Sequence, residues 1–239
     1  MSRVAVDYYL REIASGSGWG SMDVGGAYSS VGPAGGVTDG YGFIASASNA
    51  NARYKYVTGL GMGDALIMGR WSADLAPVTG DYQVAVMGRV LSDQTNYQLR
   101  ALVSATLGNI QLRLVRRTSG TTATIVDSTD TGIPFVAGAW YWLKLQTLGS
   151  SPTTLRGRIW REGSPEPTTW LIDTTNNTAG NQTSAGGVGW QYVMSASNPA
   201  TVEMRATDLL AHARPDDVPL ALWLPSRRAA HVDLGVAVQ

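Results

Sequence analysis

The chain has 239 residues, no formal net charge, 15% charged residues, 28 glycines and no cysteine. A balanced charge speaks against a general polyanion partner, and the missing cysteine excludes disulfides, thiolate catalysis and Cys-ligated zinc. The apolar residues are Val, Leu, Ile, Ala, Tyr and Trp rather than the Glu/Lys/Leu mixture of amphipathic helices, which predicts short strands joined by Gly-rich turns.

Val4, Val6, Tyr8 and Leu10 alternate in residues 1–15, which read as an N-terminal arm. Residues 16–42 are Gly-rich, with strand pieces at 19–24 and 27–31. Strands are expected at 53–57 and 64–75. Three neighbouring runs, 82–91, 97–104 and 110–116, then repeat one pattern: Tyr, Val, Leu and Ile on one face, and Arg89, Gln98, Arg100, Gln111 and Arg113 on the other. That is the signature of a sandwich sheet with one buried side. Ser119-Gly120 sits where a tight turn belongs. Strands continue at 121–127 and 139–148.

Ser150–Trp170 starts and ends in Pro-bounded turns. Between them Leu155, Gly157 and Ile159 alternate with Arg156, Arg158 and Trp160, as in a half-buried strand. A further strand opens at Trp170, a long polar loop fills 174–187, and strands at 188–194 and 202–212 close the domain. No segment carries a helical stripe, and no fixed-period repeat is present. After Ala213 the composition changes. Pro215, Pro219 and Pro225 punctuate Leu220–Leu224, and Val232, Leu234, Val236 and Val238 alternate to the end. Residues 214–239 read as an extended assembly segment, with Leu222, Trp223, Leu224, Val232, Leu234 and Val236 as contacts alongside Val4, Val6 and Tyr8 of the arm. Exposed alternating strands of this kind are normally covered or paired.

The run SSPTTLRGRIWREGSPEPTTW resembles concanavalin A-like (LamG-type) jelly-roll domains found in phages of actinobacteria and their hosts. The resemblance extends to Gly18-Trp19-Gly20, Gly25–Tyr28, Asn96–Arg100, Gly186–Gly189 and Thr207–Leu209, covering roughly 19–210. It implies an all-β fold: a jelly-roll sandwich of two antiparallel sheets over residues 16–213, with a short N-terminal arm and an extended C-terminal tail. The excess of Arg over Lys fits a GC-rich genome.

Some relatives with this fold cut polysaccharides with an E-x-D-x-x-E run. The four glutamates here, Glu12, Glu162, Glu166 and Glu203, form no such run. Glu162 and Glu166 read as solvated turn residues. Neither a G-x-S-x-G elbow, an H-E-x-x-H run nor a P-loop appears, and both histidines, His212 and His231, lie at or beyond the domain's end. The expectation is a protein that is not an enzyme, with no catalytic residues and no cofactor. Some LamG-like domains bind calcium through an Asp and carbonyls, and Asp208 sits at the matching strand. One carboxylate is too thin a donor set, so no metal is expected.

A sugar site needs an aromatic platform beside polar groups. Arg89, Gln98, Arg100, Gln111 and Arg113, with Trp190 and Tyr192 as aromatics, are the candidate carbohydrate-binding residues. The competing reading makes the same belt a solvent-facing or subunit-facing surface. Trp71, Trp140, Trp142 and Trp160 read as packing residues, and Arg113, Arg116 and Arg117 as a solvated edge.

No signal peptide is legible, because Asp7, Arg11 and Glu12 interrupt any apolar run, and no stretch is long enough for a transmembrane helix. The expectation is a phage virion structural protein of the tail, tail tip or baseplate, made in the host cytoplasm. Its expected partners are other virion proteins, copies of itself and a host-surface glycan, with neither nucleic acid nor membrane insertion. A capsid decoration protein and a bacterial carbohydrate-binding or adhesion module are the alternatives.

Overall fold

The computed structural model describes residues 3–32, 35–46, 51–178 and 183–213. Within them the chain forms β1 (Arg3–Asp7), β2 (Ser29–Val31), β3 (Gly36–Thr38), β4 (Tyr41–Ser46), β5 (Arg53–Met62), β6 (Ala65–Ala73), β7 (Asp81–Ser92) and β8 (Thr95–Ser104). It continues through β9 (Asn109–Thr118), β10 (Thr121–Pro134), β11 (Tyr141–Leu148), β12 (Thr153–Arg161), β13 (Ile172–Asn176), β14 (Gly186–Met194) and β15 (Val202–His212). Among the described residues no helix is long and apolar enough to cross a membrane.

The strands form two antiparallel sheets, as expected for a jelly-roll sandwich. An eight-stranded sheet runs β13-β12-β11-β6-β15-β4-β3, with β1 also paired to β15. A seven-stranded sheet runs β10-β9-β8-β7-β14-β5-β2. Alternation decides which faces meet. Val84, Val86, Leu99, Ala101, Leu112, Leu114 and Trp190 from the second sheet pack against Ile67, Trp71, Leu143, Leu145, Leu155 and Ile159 from the first. Trp71 stacks on Tyr141 with ring centroids 5.1 Å apart. Ser119 (φ 49°) and Gly120 (φ 83°) are both left-handed. They give β9 and β10 the two-residue turn whose twist suits a hairpin.

Residues 3–15 are part of the sandwich rather than a projecting arm. β1 pairs with β15, Val6 lying opposite Leu210. Ala5 and Tyr9 enter the core, while Val6 is buried on the outer face of the eight-stranded sheet with Leu66, Met68, Trp142, Trp160 and Leu210. Tyr8 packs against that cluster. The expected assembly contacts Val6 and Tyr8 are therefore engaged by the protein's own fold, and the backbone of Val4 lies in the same paired strand. The edge that β1 would present is used internally, which removes the reason to seek a partner for it. The remaining assembly residues, Leu222, Trp223, Leu224, Val232, Leu234 and Val236, lie outside the described residues, as does the whole of 214–239.

β12 has the expected parity. Leu155 and Ile159 face the core, and Arg158 and Trp160 face outward. The outward face is covered by the turn that follows. Trp160 stacks on Trp142 at 5.9 Å, and Trp170 folds back beneath the Arg158 guanidinium, 4.2 Å from its ring centroid. Glu166 is not a solvated turn residue: it takes the Lys144 ammonium at 2.7 Å and pairs with Arg158. Glu162 pairs with Arg70. Burial of two cations on this face requires a shared carboxylate, and the Pro-bounded turn delivers it.

Candidate functional site

The outer face of the seven-stranded sheet is built by strand register. Opposed residues in an antiparallel pair share a face, so one row runs Tyr54–Gln191–Ala85–Arg100–Arg113 across β5, β14, β7, β8 and β9. A second row runs Tyr56–Gly189–Met87–Gln98–Val115, and a third Val193–Gln83–Leu102–Gln111. Arg117 lies opposite Asn96. The expected residues Gln98, Arg100, Gln111 and Arg113 thus come together, joined by Tyr54, Tyr56, Gln83, Gln191 and Arg117.

This face is concave. β9 and β5 are four strand spacings apart, about 19 Å in a flat sheet, yet Arg117 Nη1 donates to Tyr54 Oη at 2.5 Å. The guanidinium also lies 5.6 Å from the Tyr54 ring centroid. Two long side chains span that width only if the sheet curls toward them. Curvature makes the floor crowded: Gln98, Gln111 and Arg100 are buried among their neighbours although they point away from the core.

A directed chain of hydrogen bonds fixes Arg100. Its Nε donates to Gln98 Oε1 at 2.8 Å and its Nη1 to Gln83 Oε1 at 2.9 Å. Gln98 Nε2 donates to Asn96 Oδ1 at 2.7 Å, and Asn96 Nδ2 to the Ser92 carbonyl at 2.9 Å. Arg113 pairs with Asp127 at 3.0 Å at the rim. Burial lowers the Arg100 pKa to about 10; Tyr54 opposes the shift, and Arg117 and Arg113 add to it. Burial also raises the Tyr54 phenol, which Arg117 and Arg100 counter. The face offers amide and guanidinium donors beside tyrosine rings, with no carboxylate in the three rows.

Three expected site residues lie elsewhere. Trp190 and Tyr192 have the opposite parity to Gln191 and are buried in the core, so neither can serve as a sugar platform. Arg89 leaves the belt because it takes a left-handed conformation (φ 48°) at a bulge in β7. Its guanidinium turns between the sheets to the Gly63 and Gly149 carbonyls and Thr153, as a brace rather than a contact surface. A second bulge, in β15, turns Asp208 (φ 52°) to Arg70, where it is buried as an ion pair. Among the described residues no group of three or more His, Asp or Glu is placed to hold a metal ion.

Sequence reasoning missed Tyr54 and Tyr56. In β5 the residues sharing Val57's inward parity are Arg53 and Lys55, while the two tyrosines point out. A polarity rule reverses that strand. Only the β5–β14 register, with Lys55 opposite Trp190, reveals it.

A separate cleft of about 630 Å³ lies at the end of β12, lined by Ile133, Arg158, Pro165, Pro167, Trp170 and Leu171 among others. It opens where β12 continues past its pairing with β13.

No protein-family model matches the chain, and no curated protein matches it. Solved structures match at the level of fold. The CBM2 module of the evolved Dit of Lactobacillus casei BL23 phage J-1 is similar with a TM-score of 0.55 and 10% identity, over 90% of this chain and 97% of that one. An uncharacterised protein from Mycobacterium paratuberculosis gives 0.53 and 11%, over 87% and 99%. The exoplasmic/lumenal domain of VIP36, in a Ca2+/Man3GlcNAc-bound form, gives 0.50 and 8%, over 83% and 86%. At such identities the likeness is one of fold alone, a jelly-roll sandwich of two antiparallel sheets.

Proposed function

We propose that this chain is a non-enzymatic glycan-binding structural protein of a phage particle, at the tail tip or baseplate, holding a host-surface saccharide on its concave face. The observation that carries the reading is the row Tyr54–Gln191–Ala85–Arg100–Arg113, with the half-exposed Tyr56 ring in the next row: amide and guanidinium donors beside tyrosine rings, of which Tyr54 is buried beneath Arg117, and no carboxylate. Sugar recognition uses apolar ring faces together with a few fixed polar groups. Retaining cleavage would need two carboxyl groups about 5–5.5 Å apart, which the rows do not supply. Likeness of fold to a phage Dit module along nearly the full length of both chains supports the particle setting. In this reading residues 214–239 hold the chain to its neighbours or to copies of itself.

A glycan array of bacterial cell-wall saccharides tests the binding. Signal that falls with Tyr54→Ala and Arg113→Ala, without new reducing ends, is expected; saccharide cleavage would contradict it. Immunogold labelling of particles released by the producing cells tests the setting. Label at a tail end is expected, label over capsids favours the decoration alternative, and no label on particles contradicts both. Deleting residues 214–239 should leave a folded domain that no longer enters particles.

One observation favours a second reading, in which the glycan sits in the cleft at the end of β12. There the Trp170 ring is held by Arg158 and flanked by Pro165 and Pro167. Trp170→Ala, rather than Tyr54→Ala, would then remove the signal.

A further inference from the structure

The concave face holds a buried guanidinium with neutral partners only, and buried hydrogen-bonding groups that its described residues leave unmet. Arg100 is 8% exposed, and both of its protein partners, Gln98 and Gln83, are neutral. Its Nη2 donates to no protein acceptor among the described residues. The nearest cationic neighbours are Arg113, directly opposite on β9, and Arg117. Asp127, which pairs with Arg113, is 80% exposed at the rim and lies apart from Arg100 in the hydrogen-bond chain.

Gln191 stands in the same row on the far side of Ala85. It is 1% exposed, and neither its amide nitrogen nor its amide oxygen has a partner among the described residues; Arg113 Nε is likewise without one. A buried guanidinium without a carboxylate and a buried amide without any bond are each costly. Such groups persist where something outside the fold satisfies them. The group that satisfies the donors among them is an oxyanion: guanidinium forks and amide N–H groups donate, and a carboxylate or phosphate accepts through several oxygens, while a saccharide hydroxyl beside it can donate to the Gln191 Oε1.

We infer that the saccharide taken by this face is acidic, and that its carboxylate or phosphate sits against Arg100, Arg113 and the Gln191 amide. This rests on the glycan-binding reading of the same face. Arg117, held by Tyr54 at the groove's margin, adds to the attraction at longer range. Ala85, the one small side chain in the row, separates the two donor sets by a single methyl group.

Titration calorimetry on the intact chain tests this with three probes: a galacturonic acid trisaccharide, its methyl ester, and a poly(glycerol phosphate) oligomer. One or both acidic probes should bind at least about tenfold tighter than the ester, the scale of one charge-assisted hydrogen bond. Raised salt should erode that margin. Arg113→Gln, at a position 27% exposed and therefore tolerant of change, should reduce the preference by about tenfold while leaving thermal unfolding close to that of the parent. Arg100→Gln should abolish it. The galacturonate and phosphate arms tell the two oxyanions apart. Equal binding of ester and acid, or binding of the ester alone, would overturn the inference and leave the glycan reading standing. Binding of no probe and no array saccharide would overturn both.

Discussion

Arg117 on β9 and Tyr54 on β5 meet at 2.5 Å over a face whose two ends are separated by β8, β7 and β14. The contact joins opposite sides of a curled sheet and so reports its curvature directly. It combines a hydrogen bond to a phenol with a cation over a ring. Tyr54→Phe keeps the ring and loses the oxygen, and should cost about 0.5–1.5 kcal/mol in urea unfolding. A double-mutant cycle with Arg117→Met should give a coupling of about 0.5–2 kcal/mol. Coupling near zero would mean that the sheet holds its curvature without this pair.

Glu166 serves two cations, Lys144 and Arg158, both buried on the outer face of the eight-stranded sheet. Glu166→Ala removes their shared carboxylate and should destabilise the fold by about 3–5 kcal/mol, the range for breaking a buried ion pair from one side. Glu162, whose side chain is half exposed beside Arg70, should cost no more than about 1 kcal/mol when changed to Ala. Equal effects at the two positions would contradict the assignment of Glu166 as the buried clasp.

Lys55 points into the sandwich opposite Trp190, and burial lowers its pKa from 10.5 to about 8. Its charged form is therefore disfavoured in the folded state. Below pH 8 that penalty is present in full. Between pH 8 and 10.5 the unfolded chain holds the proton that the folded chain has lost, so this residue's contribution rises with pH. Lys55→Met should be the more stable protein at pH 7, and the difference from the parent should shrink as pH climbs from 8 to 10.5. A gap that widens over that window would show the ammonium to be favoured by the fold.

Gly69 lies beneath the Trp190 indole, where an added Cβ would fall 2.4 Å from Cζ2. The ring is enclosed and has no free direction to move. Gly69→Ala should cost about 1–3 kcal/mol in thermal or urea unfolding, with a change in Trp fluorescence. An unchanged melting point would mean that the two sheets slide apart more easily than their packing suggests.

Strand parity made most of this legible in the sequence. The alternation in 82–91, 97–104 and 110–116 placed Leu99, Leu112 and Val84 inside and Gln98, Arg100 and Arg113 outside, and the register agrees. What failed has local physical causes. Bulges at Arg89 and Asp208 shift the alternation by one residue, and no composition signal marks a non-glycine residue with positive φ. β3 and β4 are short and drawn largely from the Gly-rich stretch, so no strand is legible there. β5 buries Arg53 and Lys55 and turns its tyrosines outward, against the usual sorting of polar and apolar side chains. Glu166 looked solvated because its partners, Lys144 and Arg158, are known only once β11 and β12 pair. Trp190 and Tyr192 flank Gln191, which does lie on the belt, but a one-residue step in a strand is a change of face.

The most direct measurement is amide chemical-shift mapping of the whole chain titrated with the tightest-binding saccharide. Shifts concentrated on the concave rows, at Tyr54, Gln83, Gln98, Arg100, Arg113 and Gln191, with the Trp190 and Trp71 indoles undisturbed, are expected if this face is the binding site. Shifts clustered instead at 131–134 and 164–171, or none at saturating saccharide, would contradict it.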